Sequence, residues 1–261
     1  MPDRTLQAGR LLAHAWKSGA LLPDLGKLRP SSRQEAYAVQ GAMSRALGLP
    51  VAGWKVGAAT PAIMAVRQLD APVSGPVYQP RAHSSPAVLP ASDFPSANIE
   101  TEFAFRTTGP LPARRAPCDA LEVKASVTAH AAFDLTQSRF SKPPDPLSEI
   151  ADSGNSGGAV IGPQIPGWRD TDLTSAGVTL RLDGGPPVQT YRGRWRRDPL
   201  DVLVWLLNSL GRRGIGLAAG SFILTGSLTE PQPLVPGTCA SAVFEGARAV
   251  ELRACLRDTD D

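Results

Sequence analysis

The hydrophobic pattern of the chain changes character near residue 51. Before that point apolar side chains recur at helical spacing, with Leu6, Leu11, Leu12 and Trp16 in one stretch and Ala36, Val39, Met43 and Leu47 in a second. Ser32 followed by Glu35 has the form of a capping box for the second helix, and Gly48 with Pro50 ends it. Residues 23–30 form a connector between the two.

Beyond residue 51 the runs are shorter and the alternation tighter. Residues 53–57 read as a strand and 61–69 as a short helix. Residues 71–95 are rich in Pro and Ser, with short apolar pieces at Val77-Tyr78 and Val88-Leu89. Residues 98–106 alternate cleanly and predict a strand. A helix is expected over 118–130, a strand over 131–135, and a proline-containing loop over 137–149. Strands are expected at 157–161, 178–182 and 188–191, the last two joined by a turn at Asp183-Gly184-Gly185. Asp198 caps a helix with Pro199 at its first position, running through Leu203, Leu206, Leu207 and Leu210 to Gly211. Strands at 221–225, 239–244 and 249–254 close the chain. The order predicts an α+β protein: a helical N-terminal region over 1–60, then a β-rich domain over 61–261 with inserted helices.

Composition adds limits rather than detail. Of 261 residues, 25 are Gly and 25 are Pro, spread along the chain, which favours short strands and tight turns over a helical bundle. Net charge is +3 without a long basic run; Arg192, Arg194, Arg196 and Arg197 cluster, but no nucleic-acid motif accompanies them. No apolar run approaches the ~20 residues that span a bilayer, and charged residues interrupt the N-terminus, so neither a membrane nor a signal peptide is expected. Cys118, Cys239 and Cys255 are odd in number and far apart, which predicts free thiols in a reducing, cytoplasmic setting.

Four groups of residues carry candidate chemistry. Glu100 and Glu102 are two apart on a predicted strand, so their carboxylates share a face while Ile99, Thr101, Phe103 and Phe105 take the core side. Such a pair is often a solvated strand face, but paired carboxylates also suit a hard cation such as Mg²⁺ or Mn²⁺, and no His/Cys set suited to zinc is present. Lys55 lies between Gly53 and Gly57, glycines that allow close approach of backbone or substrate. Asp152-Ser153-Gly154-Asn155-Ser156 leads into an apolar strand, and Thr225-Gly226-Ser227 follows another. Either can place hydroxyls and backbone N–H groups around a small anion.

The ordered set of motifs is more specific than any one of them. Tyr37-Ala38-Val39-Gln40, Gly53-Trp54-Lys55-Val56-Gly57, Ile99-Glu100-Thr101-Glu102, Asp134 ahead of Ser138-Arg139, the 151–162 segment, Pro199-Leu200 with Val204-Trp205-Leu206, and 220–228 resemble one family. It is the 2-keto-4-pentenoate hydratase and 4-oxalocrotonate decarboxylase branch of the fumarylacetoacetate hydrolase superfamily.

The resemblance implies a β-roll core enclosing a divalent cation, Mg²⁺ or Mn²⁺, held by Glu100, Glu102 and Asp134. It implies that Lys55, Asn155 and Ser156 act in catalysis, that Thr225, Gly226 and Ser227 hold substrate, and that the protein is a homo-oligomer. The expected activity is a hydro-lyase reaction, hydration of a 2-hydroxy-2,4-dienoate or 2-oxo-4-enoate in aromatic meta-cleavage catabolism. Decarboxylation of a 2-oxo acid or hydrolysis of an acylpyruvate on the same scaffold are alternatives, as is binding of a 2-oxo acid without turnover. Hydrolysis ranks below hydration because His14, His83 and His130 sit in no motif for it. Three places depart from the family: Asp134 stands where Glu is usual, Gln79-Pro80 stand where acidic residues linked to proton transfer are common, and Asp152-Ser153-Gly154-Asn155-Ser156 alters a D-N-A-S-type stretch.

Overall fold

The computed structural model describes residues 3–245 and 250–257. The two N-terminal helices are α1 (Arg4–Ser18) and α2 (Arg33–Leu47). Both open on a side-chain cap and close on a left-handed glycine, Gly19 and Gly48. Ser32 accepts from the Glu35 amide, while the Glu35 carboxylate reaches back to Ser31 instead of Ser32. Leu12, Val39 and Met43 pack between the helices and against Tyr78.

In chain order the remaining elements are β1 (Val51–Gly57), α3 (Pro61–Val66), β2 (Val73–Tyr78), β3 (Ala82–Ser84), β4 (Ala87–Pro90), β5 (Asn98–Thr107), α4 (Ala120–Ala125) and β6 (Val127–Thr136). Then come α5 (Pro146–Ala151), β7 (Ser156–Gln164), β8 (Val178–Leu182), α6 (Pro199–Arg212), β9 (Phe222–Ser227), β10 (Gln232–Pro233), β11 (Cys239–Phe244) and β12 (Val250–Arg257). The strands form an eight-stranded sheet, β2-β1-β9-β5-β6-β7-β3 with β10 beside β5, and a four-stranded sheet, β4-β12-β11-β8.

The large sheet curls. Val77 of β2 and Ile161 of β7 lie far apart in strand order yet share one buried cluster with Ala104, Ala132 and Leu224. Its other face carries Ile99, Phe103, Phe105 and Phe133, which pack with Leu203, Leu206 and Leu210 of α6 and Phe244 of the small sheet. This is the α+β class expected from the element order, and the roll that the family resemblance implies.

Several local expectations are corrected. The helix expected over 118–130 is only α4, because residues from Val127 onward pair with β5 on one side and β7 on the other. Pairing on both edges overrides the helical preference of an alanine-rich segment. The loop expected over 137–149 ends early, since Asp145 caps α5 with Pro146 at its start. Residues 188–191 form no strand. Pro186 and Pro187 cannot donate to a ladder; only the Val188 amide reaches β8, at Leu180 O, and Thr190 makes a single bridge to Thr229. β8 pairs with β11 instead. Ala249 lies outside the described residues.

The expectation of free thiols is also overturned for two of the three cysteines. Cys239 and Cys255 face each other across β11 and β12 and are joined by a disulfide, while Cys118 is free. Spacing along the chain hides this pairing, because strand register creates it. Among the described residues no helix is long and apolar enough to cross a membrane.

Candidate metal centre

Alternation along β5 divides its side chains as expected. Ile99, Thr101, Phe103 and Phe105 are fully buried in the core, and Glu100 and Glu102 take the opposite face. Asp134 is the direct cross-strand partner of Glu100 on β6. The three side chains offer carboxylate oxygens that all lie within 4.8 Å of one another.

Lys55 arrives from β1. Its Nζ lies 3.0 Å from Asp134 Oδ2 and donates to Gly154 O at 3.1 Å. Glu102 is fixed from β9, where the Gly226 amide donates to its Oε2 at 2.7 Å. That donor is aimed by a bulge: one β5 residue between Glu102 and Ala104 faces two β9 residues between Ser227 and Leu224. Gly226 has φ +104°, and a Cβ there would stand 2.8 Å from the Ala59 methyl, so both backbone and space require glycine.

Three carboxylates beside one ammonium leave an excess of negative charge in a buried place. Burial, then Asp134, push Glu100 up to about 7 despite Lys55. Burial and the other two carboxylates push Glu102 well above the ordinary range, and burial raises Asp134 even against Lys55. Burial alone would lower Lys55, but Asp134, Glu100 and Glu102 outweigh it and hold the ammonium charged. Asp134 Oδ1 is buried without a hydrogen-bond partner. An all-oxygen set with surplus charge and an unsatisfied buried acceptor fits a hard divalent cation.

The segment after α5 completes the wall. Ser153, Gly154 and Asn155 have φ of 56°, 61° and 60°, three left-handed residues in a row. For non-glycine residues this costs about 1–2 kcal/mol each. The turn presents Gly154 O to Lys55 and Asn155 to a cavity of about 870 Å³ that also exposes Glu100, Glu102 and Gly226.

The sequence-predicted residues are thus gathered unequally. Lys55, Glu100, Glu102 and Asp134 form one cluster. Asn155, Thr225, Gly226 and Ser227 line the cavity, whereas Ser156 is buried and outside its lining. The Thr225 hydroxyl donates to Phe103 O at 2.8 Å and that of Ser227 to Thr229 O at 2.6 Å. None of His14, His83 and His130 lines the cavity, and Gln79 and Pro80 are exposed away from it.

The structure adds cavity residues that sequence reasoning missed. Tyr191 and Trp195 stack with ring centroids 6.4 Å apart on its wall, and Arg67, Arg192 and Arg197 also line it. The arginine cluster was visible in the sequence, but its place beside the carboxylates depends on the connection into α6.

No family model matches the chain. A 4-oxalocrotonate decarboxylase from a Pseudomonas species is 28% identical over 224 residues, 84% of each chain. A 2-keto-4-pentenoate hydratase from Paraburkholderia xenovorans is 25% identical over 254 residues, 95% of this chain and 94% of the relative. A solved 4-oxalocrotonate decarboxylase from Pseudomonas putida, complexed with magnesium and adipate, has the same fold, with a TM-score of 0.86 at 24% identity over 98% of each chain. The chain is thus similar over most of its length to 2-keto-4-pentenoate hydratases and 4-oxalocrotonate decarboxylases, and it shares the fold of a solved member of the latter.

Proposed function

We propose that the protein is a divalent-cation-dependent hydratase acting on a 2-hydroxy-2,4-dienoate, with Glu100, Glu102 and Asp134 holding Mg²⁺ or Mn²⁺. The observation that carries this reading is the carboxylate triad, buried at Glu102 and Asp134 and half-buried at Glu100, whose surplus charge is only partly met by Lys55. Bound there, the cation supplies Lewis-acid stabilisation of negative charge on the substrate 2-oxygen.

The chain's own groups do the rest. Lys55, kept charged by its neighbours, adds a fixed positive charge where the enolate forms, and so acts as an electrostatic stabiliser and not as a base. Gly226 N–H holds Glu102 in place, leaving its other oxygen for the cation. Asn155 offers an amide to the substrate carboxylate or to the attacking water, with Thr225 and Ser227 bordering the same space. Ser156 contributes through its carbonyl, which accepts from Arg139 and so anchors the end of the turn.

In the overall change, the enol proton leaves the 2-oxygen and a proton is added at C5, giving the 2-oxo-3-enoate. Water oxygen then bonds to C4 while a proton is added at C3, so one water is consumed and no electrons are exchanged. We place the reaction in aromatic meta-cleavage catabolism, and the protein in a homo-oligomer, on its likeness to the 2-keto-4-pentenoate hydratases and 4-oxalocrotonate decarboxylases.

One observation favours a second reading. Arg67, Arg192 and Arg197 line the cavity, and guanidinium groups there suit a second carboxylate at the far end of the substrate. That would make the reaction a decarboxylation of a 2-oxo diacid. Product analysis separates the two: hydration yields a 4-hydroxy-2-oxo acid, and decarboxylation releases CO₂. Neither product from either substrate class, with Mg²⁺ or Mn²⁺ present, would leave only a binding protein.

A further inference from the structure

Left-handed residues normally occur singly, so a run of three needs something to hold it. At Ser153, Gly154 and Asn155 a buried guanidinium does so. Arg139 Nη2 donates to Asp152 O, just before the turn, and Nη1 donates to Ser156 O, just after it, each at 2.7 Å. Arg139 Nε also donates to Asp152 Oδ1, and the Arg139 amide donates to Asp152 Oδ2 at 2.9 Å. One side chain therefore spans both ends of the turn. Its partner carboxylate is fully buried, and Arg139 itself is 2% exposed.

A second element supports the turn from below. A Cβ on Gly75 of β2 would stand 1.7 Å from Ser153 O, so the turn rests directly on that strand's backbone. Gly75 is the cross-strand partner of Lys55. What the turn delivers points the other way, into the site. Gly154 O takes a hydrogen bond from Lys55 Nζ, and Asn155 lines the cavity with its Oδ1 buried and without a protein partner. Arg139 and Asp152 do not line the cavity.

We propose that Arg139 and Asp152 are positioning residues, whose ion pair locks the 153–155 turn so that the Gly154 carbonyl and the Asn155 amide face Lys55 and the substrate. The proposal rests on the functional reading above. It adds a division of labour: the charge that shapes the turn is kept apart from the groups that meet the substrate. Asp152→Asn preserves the shape but removes the charge, and Arg139→Lys preserves the charge but loses the planar fork that reaches both carbonyls.

A double-mutant cycle between Asp152→Asn and Asn155→Ala tests this, read at a temperature well below unfolding. Asp152→Asn should lower kcat by ~10- to ~100-fold through misplacement of groups, with KM little changed. Amide exchange in 153–156 should accelerate while that of β5 and β6 does not. Because Asp152 acts partly through Asn155, the double variant should lose less than the sum of the two single losses, the remainder reflecting the Gly154 carbonyl that also meets Lys55. Additive losses, or unchanged exchange in the turn, would overturn the proposal. Arg139→Lys provides the same readings if Asp152→Asn does not fold. Absence of turnover in the unmodified protein would count against the functional reading, whereas the exchange data would still decide whether the pair holds the turn.

Discussion

Lys55 Nζ stands 3.0 Å from Asp134 Oδ2, and both side chains are withdrawn from solvent. The pair joins β1 to β6, strands that are not neighbours in the sheet, and so ties the lysine to the carboxylate cluster across its concave face. Lys55→Met would keep the aliphatic stem and remove only the ammonium. Turnover should fall by ~10²- to ~10³-fold, the scale of losing one preorganised charge stabiliser. Mg²⁺ should still bind, as followed by calorimetric titration beside steady-state kinetics. Loss of Mg²⁺ binding with it would mean that Lys55 shapes the ion site itself.

Asp134→Asn should have two effects. Metal affinity should weaken by at least ~10-fold, since a charged oxygen ligand is lost. Stability should fall by about 3–5 kcal/mol, because Lys55 remains buried without its closest counter-charge. Urea unfolding of the ion-free protein checks the second effect independently of the first. Unchanged stability would show that Glu100 and Glu102 alone satisfy the lysine.

The raised carboxyls set a pH dependence. Glu100 is pushed up to about 7 from an ordinary value of 4.5, by burial first and Asp134 second, and Glu102 shifts the same way. Between those values the folded ion-free protein binds more protons than the unfolded chain. Its contribution is therefore fully present below about 4.5 and is lost as pH rises through about 7. A cation needs the deprotonated carboxylates, so the rise in Tm on adding Mg²⁺ should be small at acidic pH and grow across this window. A thermal shift by Mg²⁺ that does not vary with pH would contradict this.

Gly75→Ala drives a methyl group into the Ser153 carbonyl, 1.7 Å from its oxygen if nothing moves, an overlap that backbone cannot absorb in place. The turn or β2 must shift, at a cost of about 1–3 kcal/mol as in other overpacked sites. Turnover should fall with it, because the displaced turn carries Gly154 and Asn155. Gly109→Ala, where a Cβ meets nothing within 4 Å, is the matched control and should leave turnover unchanged.

Much of this arrangement was legible in the chain before the fold was known. Alternation through Ile99, Glu100, Thr101, Glu102 and Phe103 separates core from site because a strand has a period of two. Lys55 stood out between Gly53 and Gly57 and Asp134 came from the resemblance, but nothing local to either residue shows that register and sheet curvature bring them together. The place of Arg192 and Arg197 in the cavity, the Tyr191–Trp195 stack and the Cys239–Cys255 disulfide escaped for a common reason. Each depends on where a loop or register places residues distant in sequence, a tertiary fact that periodicity does not encode. The 127–130 segment was misjudged because alanine favours helix until two neighbouring strands pair with it.

On the proposed function, the Glu100, Glu102 and Asp134 cluster makes enol chemistry depend on a divalent cation. The most direct test follows the ultraviolet absorbance of 2-hydroxypenta-2,4-dienoate with the metal-free protein, then with Mg²⁺ added, and with Glu102→Ala in parallel. Loss of the dienol absorbance with formation of the 4-hydroxy-2-oxo acid is expected only when Mg²⁺ or Mn²⁺ is present, with near-background rates for Glu102→Ala. Turnover that proceeds equally in metal-free protein, or survives in Glu102→Ala, would contradict it.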